Sequence, residues 1–144
     1  MKNLYFVILV MGSMLVGCGG GGTTNEQTTP NLSNDDQILK NAFDNKQSNL
    51  QVYGNGTVTR ILSDDNDGSR HQRFILTLSS GQTLLISHNI DIALKIDTLK
   101  VNAIVEFYGE YEWNSQGGVI HWTHDDPNGK HKDGWLKHEG IKYH

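Results

Sequence analysis

The segment beyond residue 118 is rich in side chains that bind metal ions. Five of the seven histidines of the chain lie there: His121, His124, His131, His138 and His144. Imidazole and carboxylate together suit zinc, copper or nickel. Because residues three apart in a strand point to opposite faces, His121 and His124 can share an ion only if the strand ends or bulges between them. A turn over residues 127–129 would bring His124, Asp126 and His131 together. His121, His124, Asp126 and His131 are therefore the candidate ligands of a zinc or copper site; solvated histidines beside a turn are the interpretation that we favour.

A second group of polar side chains belongs to the region that alternates like β-structure. Its members are Arg60, His71, Arg73, His88 and Tyr108. Arginine recognises phosphate and carboxylate groups well, and an exposed tyrosine ring is a platform for stacking. The pattern predicts an outer face, on the first three strands, that binds an anionic ligand: an oligosaccharide, a nucleic acid or a protein. The alternative is a solvated face on which Arg73 pairs with Glu106 or Glu110 across strands.

Composition restricts both interpretations. The net charge of −4, with histidine neutral, provides no positive field that would gather nucleic acid tightly. The chain has no Gly-x-Ser-x-Gly, no phosphate-binding Gly-x-x-x-x-Gly-Lys and no His-Glu-x-x-His motif. A hydrolase with His71 or His121 as base, oriented by Glu110 or Asp91, stays open. We therefore favour a binding module and keep a metal-dependent hydrolase, nuclease or metal-binding protein as the alternative.

The beginning of the chain resembles a bacterial lipoprotein signal. An apolar run after Lys2 is too short for a membrane span, which takes about 20 residues. It leads into the sequence Leu-Val-Gly-Cys, which resembles the site where a signal peptidase cuts before a lipid-modified cysteine. We expect residues 1–17 to be removed and Cys18, the only cysteine, to carry the lipid. Gly19 after that cysteine favours the outer membrane, facing the periplasm. Residues 18–32 then form a flexible tether.

A helix is predicted over residues 33–49. The Ser33 hydroxyl can cap the first turn, and two aspartates follow it at the positive end of the helix dipole. Four apolar side chains share one stripe at helical spacing: Ile38, Leu39, Ala42 and Phe43. We expect this stripe to pack on the following domain; a partner-binding helix is the alternative.

From residue 51 the hydrophobic period changes from 3.6 to 2. Strands are predicted over residues 52–62, 71–78, 83–88, 103–113 and 119–124, with a crossing segment at 89–100. In the fourth strand the acids Glu106, Glu110 and Glu112 lie on the face opposite the apolar residues. The inward set is expected to be Val58, Phe74, Leu76, Leu78, Leu84, Ile86, Val105, Phe107 and Trp122.

Five strands with a crossing segment after the third match the order of the OB-fold, a small partly open barrel. We predict a mainly β protein: an OB-like barrel over residues 50–144 that ends in an irregular, His-rich tail. A two-sheet sandwich usually needs about seven strands. Glycines at 54, 56 and 109 fit the sharp coiling of such a barrel.

The stretch from residue 56 onward resembles a bacterial family known as domain of unknown function 3465. The resemblance rests on residues 71–74 (HQRF), 81–86 (GQTLLI), 88–91 (HNID), 105–114 (VEFYGEYEWN) and 117–124 (GGVIHWTH). It implies a small exported or lipid-anchored protein. It implies no activity and no catalytic residue.

Overall fold

The computed structural model describes residues 32–144. The predicted signal peptide, the lipidated Cys18 and all but residue 32 of the tether lie outside the described residues, so these expectations stay predictions. Among residues 32–144, no helix combines the length and the apolar character that crossing a membrane requires.

The single helix of the described part, α1 (Asn34–Asp44), begins as predicted, with the Ser33 hydroxyl accepting the backbone N–H of Asp36 at 3.1 Å. It ends earlier than residue 49, because Lys46 and Asn49 adopt left-handed backbone angles that a helix cannot continue through. Its buried stripe packs on the barrel, with Leu39 and Ala42 fully enclosed. Asp36, expected only to favour the helix dipole, is 2% exposed and accepts hydrogen bonds from Ser79 and Ser80.

Seven strands follow the helix. They are β1 (Leu50–Ile61), β2 (His71–Thr77), β3 (Thr83–Asn89), β4 (Ile104–Glu112), β5 (Val119–His121), β6 (Trp135–His138) and β7 (Ile141–Tyr143). The first five form a closed mixed barrel in the order β1-β2-β3-β5-β4, and β4 returns to pair with β1. Only β3 and β5 are parallel. This is the OB-like arrangement that the sequence predicted.

The barrel interior confirms the period of two. In β2, Phe74 is fully buried while its neighbour Arg73 points outward. Eight of the nine residues predicted to face inward are buried. Trp122 is the exception: it lies after the end of β5, half-buried, and stacks on His131 outside the barrel.

The prediction of an irregular tail after the fifth strand was only partly correct. Residues 122–134 are irregular, but β6 and β7 form an antiparallel hairpin whose first strand pairs with β4. Leu136 is fully buried, which explains why the hairpin docks there. Strands of 4 and 3 residues are too short to show a clear period in the sequence.

Candidate metal centre and neighbouring cleft

Two glutamates and one histidine meet on the outer face of β4 and β5. Glu110 and Glu112 alternate with buried residues on β4, and Glu110 lies directly opposite His121 in the register of the two strands. The Nε2 atom of His121 lies 3.5 Å from Oε1 of Glu110 and 3.8 Å from Oε1 of Glu112. One ligand atom from each residue falls within 4.8 Å of the others. We call this set the Glu–His cluster.

The His121 ring has an unusual environment. Its Nε2 atom is shielded from solvent and has no hydrogen-bond partner among the described residues, although two carboxylates lie nearby. Burial lowers the pKa of His121, and the negative charges of Glu110 and Glu112 only partly offset this effect. The ring is therefore neutral near pH 7. A neutral imidazole has a lone pair for a metal ion.

His131 supports the cluster from the C-terminal segment. Its Nε2 donates to Oε2 of Glu110 at 2.6 Å, and its Nδ1 donates to the carbonyl of Lys132 at 2.8 Å. The ring also stacks on Trp122, with centroids 4.2 Å apart and planes 8° from parallel. Burial opposes a positive charge here, but the hydrogen bonds to Glu110 and Lys132 outweigh it and raise the pKa of His131.

The backbone after β5 holds these side chains in place. The strand ends at His121 because Trp122 adopts a φ of 51°, which a bulky residue rarely does. Two close approaches confine the turn. The backbone of Gly109 lies against the carbonyl of His121, and that of Gly134 against the carbonyl of Trp122. A Cβ atom at either glycine would collide with that carbonyl oxygen.

The predicted metal set is therefore divided in the structure. His121 and His131 both face Glu110, but the grouping of His124, Asp126 and His131 does not form a compact ligand set within residues 32–144. The Asp126 carboxylate accepts the backbone N–H groups of residues 128, 130 and 131, which lowers its pKa and closes the turn. The sequence placed both glutamates outward and left a pairing of His121 with Glu110 open, but it did not reveal that Glu112 also faces His121.

A cleft of about 320 Å³ adjoins the cluster and shares His121 with it. It lies between the outer ends of β2 and β3 and the segment after β5. Its lining consists of His71, Ser87, Asn89, Ile92, His121, Trp122, His124, Asp126, Pro127 and Asn128. We call it the imidazole cleft. His124 is only 4% exposed, although it belongs to the lining of this cleft.

The predicted anion-binding residues do not form one face. His88 is fully buried: its Nε2 donates to the carbonyl of Leu94 at 3.1 Å, and its Nδ1 accepts from Thr123 at 2.8 Å. Burial lowers the pKa of His88 to about 4. Placing His88 on the outer face was wrong. His88 lies two residues after Ile86 and four after Leu84, which both point inward, so the period of two predicts that its ring also points inward.

Arg73 and Tyr108 point outward, as predicted, but in different surroundings. The Arg73 guanidinium donates to the carbonyl of Ser63 at 3.1 and 3.2 Å and lies 3.8 Å from Asp65. It pairs with neither Glu106 nor Glu110 in the described residues. Tyr108 lies on β4 beside Trp135 of β6, with ring centroids 6.3 Å apart. Of the five predicted anion-binding residues, Arg60 alone lines a recess of about 410 Å³ on the outer face of β1 to β3.

Fold and site together define a small β-barrel of OB strand order, with a glutamate–histidine cluster on its outer surface. A family model, described as a protein of unknown function (DUF3465), matches residues 24–144. The chain belongs to this family. No curated protein and no solved structure matches it.

Proposed function

We propose that this protein binds a divalent transition-metal ion, zinc or copper, at the Glu–His cluster. The observation that carries the proposal is the shielded Nε2 of His121, unpartnered among the described residues yet facing two carboxylate oxygens at 3.5 and 3.8 Å. Ligands bound to one zinc ion at about 2.1 Å in tetrahedral geometry are about 3.4 Å apart. The cluster therefore needs little rearrangement to hold an ion.

The ligand set resembles that of an open rather than a closed metal site. Two carboxylate oxygens and one imidazole nitrogen make three protein ligands, and structural zinc sites usually have four. The remaining position would be available to water or to a small ligand. His131 would act from outside the set, because its hydrogen bond fixes the Glu110 carboxylate. This arrangement supports metal binding as the proposed function. Metal-dependent hydrolysis at the same site is the alternative.

The proposed setting is the bacterial cell envelope. The lipoprotein-like sequence around Cys18 supports a lipid anchor, and residues 18–32 have the composition of a tether. Labelling with a palmitate analogue tests the anchor. Incorporation into the wild type that is lost in Cys18→Ala would support it, and equal incorporation would contradict it.

The metal proposal is tested by titrating chelator-treated protein with zinc in a calorimeter. We expect one ion per chain, with affinity reduced about a hundredfold or more in Glu110→Gln and Glu112→Gln. Glu106→Gln is the matched control, because Glu106 lies on the same face of β4 but outside the cluster. Equal affinity in all three variants, or the absence of saturable binding by the wild type, would contradict the proposal.

A second candidate function is the binding of an anionic ligand on the outer face of β1 to β3. The recess beside Arg60 supports it, because residues of the β4–β5 loop, Asn114 and Gln116, also line that recess. OB-folds use this region for oligonucleotides and oligosaccharides. Titration with heparin fragments and oligogalacturonate tests it. Binding should weaken about tenfold in Arg60→Ala and not in Lys40→Ala; an unchanged affinity would contradict this candidate.

A further inference from the structure

The imidazole cleft shares only His121 with the Glu–His cluster. Its other polar side chains can form hydrogen bonds with a ligand. The Nδ1 of His71 donates to the carbonyl of Ser69 at 2.7 Å, and the Nδ1 of His124 donates to the carbonyl of Asp125 at 2.7 Å. A carbonyl oxygen only accepts, so each Nδ1 carries a proton. In the neutral rings each Nε2 is then an acceptor. Neither Nε2 has a hydrogen-bond partner within residues 32–144, and both rings line the cleft.

Two donors complement these acceptors on β3. The amide oxygen of Asn89 accepts the backbone N–H of Asp91 at 3.0 Å, which leaves its NH₂ group as a donor. The hydroxyl of Ser87 has no hydrogen bond to any described residue and can donate or accept. Asn89 lies directly opposite His71 in the register of β2 and β3. A donor and an acceptor therefore stand side by side on neighbouring strands.

The charge of the cleft limits what it can bind. Neither lysine nor arginine lines it in the described part of the chain. The Asp126 carboxylate is in the lining, and its three backbone hydrogen bonds keep it ionised. Anions are therefore disfavoured. Ile92, Trp122 and Pro127 add apolar surface to this polar set.

We infer that the imidazole cleft binds a neutral sugar ring. A pyranose has an apolar face of C–H groups and a rim of hydroxyls, each of which both donates and accepts. Those hydroxyls match the imidazole acceptors and the amide donor, and the C–H face matches the apolar lining. A volume of about 320 Å³ accommodates one ring at the end of a glycan. Recognition does not require the metal ion.

The test is a titration of isotope-labelled, chelator-treated protein with glucose, galactose and N-acetylglucosamine, followed by amide NMR shifts. We expect saturable shifts for residues 87–89, 122–126 and 128 with at least one neutral sugar; Pro127 has no amide proton. Binding should weaken about tenfold in Asn89→Ala. Asn55→Ala is the matched control, because Asn55 is an exposed asparagine of β1 that does not line the cleft. Unchanged melting temperatures exclude misfolding as the cause.

Three outcomes would overturn the inference. One is the absence of saturable shifts with every neutral sugar. Another is tighter binding of galacturonate or of choline than of any neutral sugar, which would mean that the cleft selects charge. The third is a saturable shift of the His71 and His124 ring signals by zinc, which would make the cleft a metal site.

Discussion

Nε2 of His131 lies 2.6 Å from Oε2 of Glu110, in a hydrogen bond that joins the C-terminal segment to β4. The Nδ1 of the same ring faces the carbonyl of Lys132 at 2.8 Å. Both oxygens only accept, so both ring nitrogens carry protons and His131 is an imidazolium. The raised pKa of His131 agrees with this. The ion pair leaves Oε1 of Glu110 facing His121.

Replacing His131 should weaken metal binding without removing a metal ligand. His131→Gln loses the charge and the stack on Trp122, so the Glu110 carboxylate is no longer held in one orientation. We expect zinc affinity to fall about 10–100-fold, as for other residues that orient a ligand. Calorimetric titration measures it, with His144→Gln as the control for an exposed histidine that contacts a carboxylate, that of Asp125. If His131→Gln binds zinc as tightly as the wild type, His131 does not position Glu110.

His88 should make the protein less stable in mild acid. Burial lowers its pKa to about 4 in the folded state, against 6.5 unperturbed. Between these two pH values the unfolded chain binds a proton at this ring and the folded chain does not. This contribution is fully present above pH 6.5 and is lost as the pH falls towards 4. The loss from this group is about 3 kcal/mol.

Urea unfolding at several pH values between 7.5 and 4 measures this effect. His88→Gln should have a smaller dependence of the unfolding free energy on pH than the wild type, whatever its stability at pH 7.5. Parallel pH profiles for the two proteins would show that His88 is not the group responsible.

Gly134 should tolerate no side chain. A Cβ there would collide with the carbonyls of Trp122 and Tyr108, so Gly134→Ala must displace the turn beside the Glu–His cluster. We expect a loss of about 3 kcal/mol in unfolding free energy. Gly129→Ala is the comparison, because Gly129 has a φ of 62° but open space around it, and should cost about 1 kcal/mol. Thermal unfolding compares them, and the reverse order would argue against the close approach.

The buried hydroxyl of Tyr111 should contribute more to stability than an exposed one. Tyr111 is fully buried and donates to the carbonyl of Gly117 at 3.1 Å. That carbonyl also accepts from Gln82, so it keeps one partner when the hydroxyl is removed. Tyr111→Phe should therefore cost only about 1 kcal/mol. Tyr53→Phe, which removes an exposed hydroxyl bonded to Glu106, should cost less in the same urea experiment; equal costs would contradict the argument.

Local patterns were sufficient to predict most of the barrel. The alternation that puts Phe74 inside and Arg73 outside is a property of neighbouring residues, since successive side chains of a strand point to opposite faces. The helix start at Ser33 is equally local, because the hydroxyl bonds an N–H three residues away. The same rule located Glu110 and Glu112 on the outer face. Applied to His88, it would also have placed that ring inside.

The sequence alone thus determined the fold class and the direction of most strand side chains, because both follow from contacts within a few residues; His88 and Trp122 are the exceptions. The tertiary structure decided which outward side chains are neighbours. Glu110 meets His121 through the register of β4 against β5, and it meets His131 through a turn that Gly134 allows. Register and turn depend on how the whole barrel closes, and no short stretch of sequence encodes that closure.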